Sequence, residues 1–206
     1  MLVRVVIPPS PIVLPEDIAG VDAGDTFVEA MIAAVTGELD GPDGWLGRCL
    51  GEQTLEVALD CWPCAPLRLP YPPFIEVEEV RYFSQGGTEE LLADGDFQSS
   101  NGLFWLLDGF SMPSLASRPD PIVIRYRAGY DENAVDEGGT GKVPAQVRQA
   151  IILSVQHLRS LGKDDLFLRA EEVEGVGRTE YTVSEQAGNI IRQASDRLLS
   201  GLRIYA

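Results

Sequence analysis

Residues 122–130, IVIRYRAGY, and residues 143–161, VPAQVRQAIILSVQHLRSL, decide the fold that the sequence predicts. In the first stretch, apolar and aromatic side chains alternate with positions that include Arg125 and Arg127, which is the period of a strand with one solvent-facing side. In the second stretch, apolar residues recur at helical spacing after Pro144, a residue that the first helical turn tolerates. The sequence therefore predicts a strand that leads, through an acidic glycine-rich loop, into a long helix.

The composition sets the size of the core and excludes one class of partner. A chain of 206 residues with 45% hydrophobic content is long enough for a substantial core in a single domain. The 32 acidic residues against 16 basic ones give a formal charge of −16. Proteins that bind nucleic acid need clustered Lys and Arg to neutralise phosphates, so this balance argues against tight DNA binding.

The N-terminal stretch of residues 1–15, MLVRVVIPPSPIVLP, is apolar but contains four prolines. It lacks both a long apolar run and a small-residue cleavage site, so we interpret it as an N-terminal arm and not as a signal peptide. No other stretch approaches the roughly 20 apolar residues of a membrane helix. Three cysteines, an odd number, do not suggest a disulfide framework. We therefore expect a soluble intracellular protein in a reducing compartment.

The periodicity of the remaining chain predicts an α+β protein. We expect a helical bundle as the body, with a small antiparallel β subdomain inserted between the first helices and the long helix. Thr26 and Glu29 have the spacing of a capping box, and several prolines after Asp60 exclude a helix there. The predicted parts of a single domain spanning 1–206 are an arm (1–15), a helix (25–40), the β subdomain (52–130), a helical part (144–202) and a C-terminal tail (203–206).

The sharpest motif for chemistry is the CxxC of Cys61 and Cys64. In dithiol oxidoreductases, a helix N-terminus behind the first cysteine lowers its pKa and makes it a thiolate. Prolines follow Cys64 closely, so no helix can start there, and two structural cysteines are the favoured interpretation. A dithiol redox enzyme stays an alternative hypothesis. A zinc site that adds Cys49 and the lone histidine, His157, has no characteristic ligand spacing.

The acidic glycine-rich loop carries no convincing ligand motif. The run GGTGK from Gly138 has Val143 where a phosphate loop needs Ser or Thr, and Pro144 follows directly. The acids of residues 131–137 do not have the spacing of a calcium loop. We therefore expect a flexible, solvated connection. We predict no catalytic residue, cofactor or metal. A monomeric binding module that uses the β subdomain is a further alternative.

Four stretches carry a pattern of motifs in a fixed order. They are WLGRCLGEQTLEVALDCWP (45–63), LRLPYPPFIEVEEVRYF (67–83), RYRAGY (125–130) and VPAQVRQAIILSVQHL (143–158). The pattern is an aromatic-Gly-Arg turn and a Gln-Thr strand, a proline-rich step before a Val-rich strand, a Tyr-x-Ala-Gly-Tyr strand end and a Val-Pro helix start. It resembles that of the head–tail connector (adaptor) family of long-tailed phages and gene transfer agents.

The resemblance implies a structural protein of the virion neck, assembled in the bacterial cytoplasm, with no enzymatic activity. It implies a homo-oligomeric ring, commonly of twelve subunits, between a portal protein and a tail-side stopper or terminator protein, with DNA passing through the lumen. The end of the chain is apolar and aromatic, which suggests docking because free termini are usually polar. Together these arguments predict a portal-binding tail made of Leu202, Arg203, Ile204 and Tyr205.

Overall fold

The computed structural model describes residues 1–163, 170–173, 177–180 and 185–204. The chain forms two compact units. The β unit comprises Met1–Ser10, Leu39–Val143 and Ile204, and the helical unit comprises Pro11–Glu38 and Pro144–Arg203. The single domain expected from the sequence stays a prediction.

Two antiparallel sheets form the β unit. The five-stranded sheet has the order β1-β2-β8-β4-β5, and the three-stranded sheet has the order β3-β7-β6. The strands are β1 (Leu2–Ile7), β2 (Gln53–Leu59), β3 (Leu67–Arg68), β4 (Phe74–Phe83), β5 (Glu89–Leu91), β6 (Phe97–Ser100), β7 (Leu103–Leu106) and β8 (Ile122–Ala128). One strand of the larger sheet, β1, comes from the predicted N-terminal arm, and the others lie within the predicted β subdomain at 52–130.

The strand β1 shows why the arm is extended. It pairs antiparallel with β2 over most of its length, with Val3 opposite Val57 and Arg4 opposite Glu56. An irregularity between Val5 and Ile7 ends the regular pairing just before the prolines, which cannot donate to a ladder. The arm therefore begins as the edge strand of the larger sheet.

The core of the β unit is one apolar cluster to which both sheets contribute. Ile124 and Tyr126 of β8 and Phe104 of β7 are almost completely buried in it. The hydroxyl of Tyr126 donates to the carbonyl oxygen of Pro70 at 2.9 Å, which satisfies its polar end. The hairpin between β6 and β7 turns at Asn101–Gly102, both with positive φ, as the Asn-Gly signal predicts.

The helical unit contains α1 (Thr26–Leu39, whose last residue belongs to the β unit), α2 (Ala145–Lys163) and α3 (Glu185–Ser200), and a hairpin of β9 (Ala170–Val173) and β10 (Gly177–Glu180). The cap of α1 is Asp25 and not Thr26, since its carboxylate accepts from the amides of Phe27 and Val28 at 3.1 and 3.2 Å. Helix α2 begins directly after Pro144, as predicted. It packs against α3 and buries its apolar stripe, which includes Ile151 and Val155.

The α+β class is confirmed, but the prediction of a helical bundle as the body is wrong. The described residues contain three α-helices and ten strands, and the larger of the two units is a sheet structure. The error arose because helical periodicity is strong in 144–202, whereas short strands with two buried faces give weak sequence signals. Ser184 precedes the helical spacing of the last helix and is a candidate cap by its residue type, but it lies outside the described residues.

Candidate functional site

A network of ion pairs crosses the polar face of the five-stranded sheet. At its centre is Glu56 on β2, whose side chain is only 2% exposed. Its carboxylate accepts from Arg4 on β1, with 2.7 Å between Nε and Oε2. It also accepts from Arg125 on β8 at 2.6 Å and from Arg81 on β4 at 2.5 Å. Three arginines from three strands therefore converge on one buried carboxylate.

The network continues to the far edge of the sheet. Arg125 contacts Glu79 at 3.3 Å, and Arg81 contacts Glu89 on β5 at 3.2 Å. Opposite charges thus connect one edge strand to the other without a gap. A second row lies beside it, where Arg127 pairs with Glu52 and contacts Glu76 at 2.5 Å. Arg125 and Arg127, which alternate with apolar residues along the predicted strand, are therefore neutralised by glutamates on or next to the same sheet.

The electrostatics of Glu56 follow from its partners. Burial raises the pKa of this carboxyl, but the hydrogen bonds from Arg125 and Arg4 and the charges of Arg4 and Arg81 oppose it and leave the pKa below its usual value. No sequence pattern pointed to this residue. Its in-register partners, Arg4 on β1 and Arg125 on β8, lie 52 and 69 positions away in the chain, so only strand pairing brings them together.

The edge strand β1 exposes apolar side chains. Leu2 is 62% exposed and Ile7 57%, and Val5 and Val6 are also on the surface. Edge strands of soluble proteins usually protect themselves with charges, so a free edge with several exposed apolar side chains is unusual. At the other edge of the sheet, Leu91 of β5 is 66% exposed.

The C-terminal segment meets the turn that precedes β2. The amide of Ile204 donates to the carbonyl oxygen of Leu46 at 2.8 Å, within the β unit. Gly47 makes this approach possible, because a Cβ there would lie 2.6 Å from the Ile204 carbonyl oxygen and its φ is +67°. Leu202 is half-buried and Arg203 is on the surface, whereas Tyr205 lies outside the described residues. Portal binding by these residues stays a prediction.

The remaining candidate residues differ in burial. Cys61 and Cys64 are exposed in an irregular segment, whereas Cys49 is buried and burial raises the pKa of its thiol. As predicted, no helix starts behind Cys61, which removes the usual way of activating such a thiol. His157 is half-buried on α2. Within the part of the chain that the structure describes, no three His, Cys, Asp or Glu side chains are grouped to hold a metal ion.

The acidic glycine-rich loop is more organised than the sequence suggests. The carboxylate of Asp131 accepts from the amides of Asn133 and Thr140 at 3.1 and 2.8 Å. Burial raises the pKa of Asp131, but these hydrogen bonds oppose it and hold the pKa below its usual value. The hydroxyl of Thr140 closes the loop by donating to the Gly129 carbonyl oxygen at 2.7 Å. The connection that we expected to be flexible is therefore a hydrogen-bonded loop. Protein donors already satisfy the carboxylate of Asp131 in it.

Residues 1–163, 170–173, 177–180 and 185–204 contain no helix that is long and apolar enough to cross a membrane. No protein-family model matches the sequence. No curated protein matches it either.

Solved structures of gene transfer agent (GTA) particles contain chains with the same fold. One match is in the neck of a native GTA particle computed with C12 symmetry, at 17% identity and a TM-score of 0.59. Another is in the neck of an empty GTA particle computed with C6 symmetry, at 18% identity and a TM-score of 0.58. A third is in the virion of a native GTA particle, at 18% identity and a TM-score of 0.56. Each match covers 100% of this chain and 97% of the other.

Proposed function

We propose that this protein is a head–tail connector (adaptor) in the neck of a phage-like or gene transfer particle. Its copies form a ring between a portal protein and a tail-side stopper or terminator protein, and DNA passes through the lumen. The role is structural, with no catalysis, and assembly takes place in the bacterial cytoplasm. The observation that carries the proposal is the shared fold with neck chains over the whole of this chain and 97% of theirs.

The charge distribution supports passage of DNA without binding. The chain carries a formal charge of −16, and the four arginines of the sheet's polar face are paired with glutamates. Phosphates therefore find few unpaired cations on this face, and a ring of such subunits repels the duplex. Repulsion favours rapid passage because DNA bound in the lumen would stop it.

Electron microscopy of the purified protein, with and without a portal protein, tests the proposal. We expect rings of uniform size, either alone or on the portal. A protein that stays monomeric under both conditions would contradict the proposal and would favour the monomeric binding module.

The tail gives a second test within the proposed function. We expect a truncation that removes 202–206 to abolish capture by an immobilised portal protein, because the predicted portal-binding residues are lost. The melting temperature must be measured as well, since Ile204 contacts the β unit. Val135→Ala is the control, because it changes a side chain far from the tail in sequence that is 71% exposed, and it should leave capture unchanged. Unchanged capture by the truncated protein would contradict the role of the tail.

Thiol titration separates the structural role from the dithiol enzyme. Cys61 and Cys64 should both react in the folded protein because they are exposed, and buried Cys49 should react only after unfolding. A structural protein predicts reaction at the rate of an ordinary thiol. A thiolate that reacts rapidly below neutral pH would instead favour a redox enzyme.

A further inference from the structure

We propose that the two edges of the five-stranded sheet meet between neighbouring copies, with β1 of one copy against β5 of the next. This inference rests on the proposed ring and identifies the surface that would build it. In the described part of the chain, β1 and β5 are the outer strands of the sheet, each with a strand neighbour on one side. The partner is therefore a second copy of this chain.

The geometry of a closed ring requires two different surfaces. One face of each subunit meets a different face of the next, so the contact is heterologous. β1 and β5 satisfy this condition because they lie at opposite edges of one sheet. Two β1 strands meeting each other would instead give a two-fold dimer, which does not extend to a ring.

Charge complementarity selects the edge-to-edge contact. The ion-pair network begins at Arg4 on β1 and ends at Glu89 on β5. The side chain of Arg4 is 68% exposed and that of Glu89 is 47% exposed, so each has an open side. When Arg4 of one copy approaches Glu89 of the next, the alternation of charge continues from subunit to subunit. Such complementarity selects the partner and the register more than it adds affinity.

Apolar side chains flank both charges. Leu2 and Val6 lie two residues from Arg4 on β1, and Leu91 lies two residues from Glu89 on β5. All three are exposed, at 62%, 38% and 66%. An apolar contact beside a charge pair is the usual composition of a protein interface, and it removes from water the side chains that β1 otherwise leaves exposed.

Cysteine cross-linking tests the contact directly. The strands β1 and β5 are separated by four strand spacings, about 19 Å at 4.8 Å each. A disulfide needs Cα atoms within about 7 Å, so no intramolecular bond can form between these strands. In a background of Cys61→Ser and Cys64→Ser, the pair Leu2→Cys/Leu91→Cys reports an antiparallel approach, and Val6→Cys/Leu91→Cys reports a parallel one.

Under mild oxidation, in conditions where electron microscopy shows rings, we expect one of these double variants to give a ladder of covalent dimers, trimers and larger species. Each single-cysteine variant serves as a control and should give dimers at most, because each subunit then carries one accessible thiol and a disulfide joins only two thiols. Rings without a ladder in either double variant would overturn the edge contact and leave the proposed function intact. The absence of rings from the unmodified protein, both alone and with a portal protein, would instead contradict the proposed function.

Discussion

The two faces of the five-stranded sheet are both closed to water at their centre, but they achieve this by opposite chemistry. On strand β2, Leu55 and Val57 are fully buried in the apolar core, and Glu56 between them is 2% exposed on the other face. One face excludes water by apolar packing. The other holds a buried carboxylate that the guanidinium groups of three arginines satisfy.

The comparison shows that alternation along a strand does not reveal how deeply its polar face is buried. A buried ion pair adds little net stability compared with an apolar pair of the same size, because desolvation offsets the attraction. Loss of one partner is nevertheless costly, since it leaves the other charges uncompensated. The apolar face should therefore respond to lost volume, and the charged face should respond to lost charge.

The largest effect should come from the apolar face. Ile124→Ala removes a fully buried side chain from β8 and leaves a cavity, so it should lower the free energy of unfolding by about 3 kcal/mol. Its neighbour on the charged face, Val123, is half-buried, and Val123→Ala should cost about 1 kcal/mol or less. Urea unfolding followed by circular dichroism measures both. Equal losses would show that the two faces pack alike.

The central carboxylate should give the next effect. Glu56→Gln keeps the shape but removes the charge that three arginines share, and we expect a loss of about 2 kcal/mol because those arginines are partly solvated. Glu52→Gln is the matched control at a side chain that is 40% exposed, and it should cost less than about 1 kcal/mol. Similar losses from both variants would show that burial of the centre contributes nothing special.

The pH dependence should separate the same two faces. The folded-state pKa of Glu56 is lowered. The stability that ionised Glu56 contributes is therefore fully present above the pKa of the unfolded state, about 4.3, and is lost as the pH falls through the lower pKa of the folded state. The stability difference between the wild type and Glu56→Gln should therefore shrink at acidic pH. The difference between the wild type and Ile124→Ala should not. A Glu56→Gln difference that is constant between pH 7 and pH 3 would contradict the lowered pKa.

A second buried carboxylate in the β unit provides a contrast of sign. Asp40 accepts from the amide of Leu50 at 2.7 Å and from the side chain of Gln53 at 2.9 Å, but no cation is among the groups that shift its pKa. Burial dominates there and raises the pKa of Asp40 despite these hydrogen bonds. Protonation below that raised value therefore relieves a cost at Asp40, whereas it removes a gain at Glu56. The two pKa shifts have opposite signs because three arginines stabilise the charged form of Glu56 and no cation among the described residues does so for Asp40.

The smallest effect should come from the outer end of the network. Arg4 is 68% exposed, so solvent screens its pairing with Glu56, and Arg4→Ala should lower the free energy of unfolding by about 0.5 kcal/mol. The loss should decrease in high salt, as expected for an exposed ion pair. Chemical unfolding at low and high salt measures it. A loss as large as that of Glu56→Gln would place Arg4 at the centre of the network and not at its edge.

Much of the fold could be predicted because the local signals were strong. The strand at Ile122–Ala128, the helix after Pro144 and the turn at Asn101–Gly102 all follow from periodicity or turn chemistry. The candidate site was harder to predict because its residues are far apart in the sequence. Arg4 and Arg125 come together at Glu56 only when β1 and β8 pair on either side of β2. A single sequence contains no signal for that pairing.

The sequence by itself determined the α+β class, the acidic charge and most of the element types, because these depend on composition and on neighbours within a few residues. The tertiary structure decided three further features: that the N-terminal arm begins as an edge strand, that the polar face of the strand at 122–128 belongs to an ion-pair network around a buried glutamate, and that Gly47 lies against Ile204. The physical reason is that strand pairing joins Glu56 to Arg4 and Arg125, which lie 52 and 69 positions away in the chain. Local propensity acts over only one or two turns.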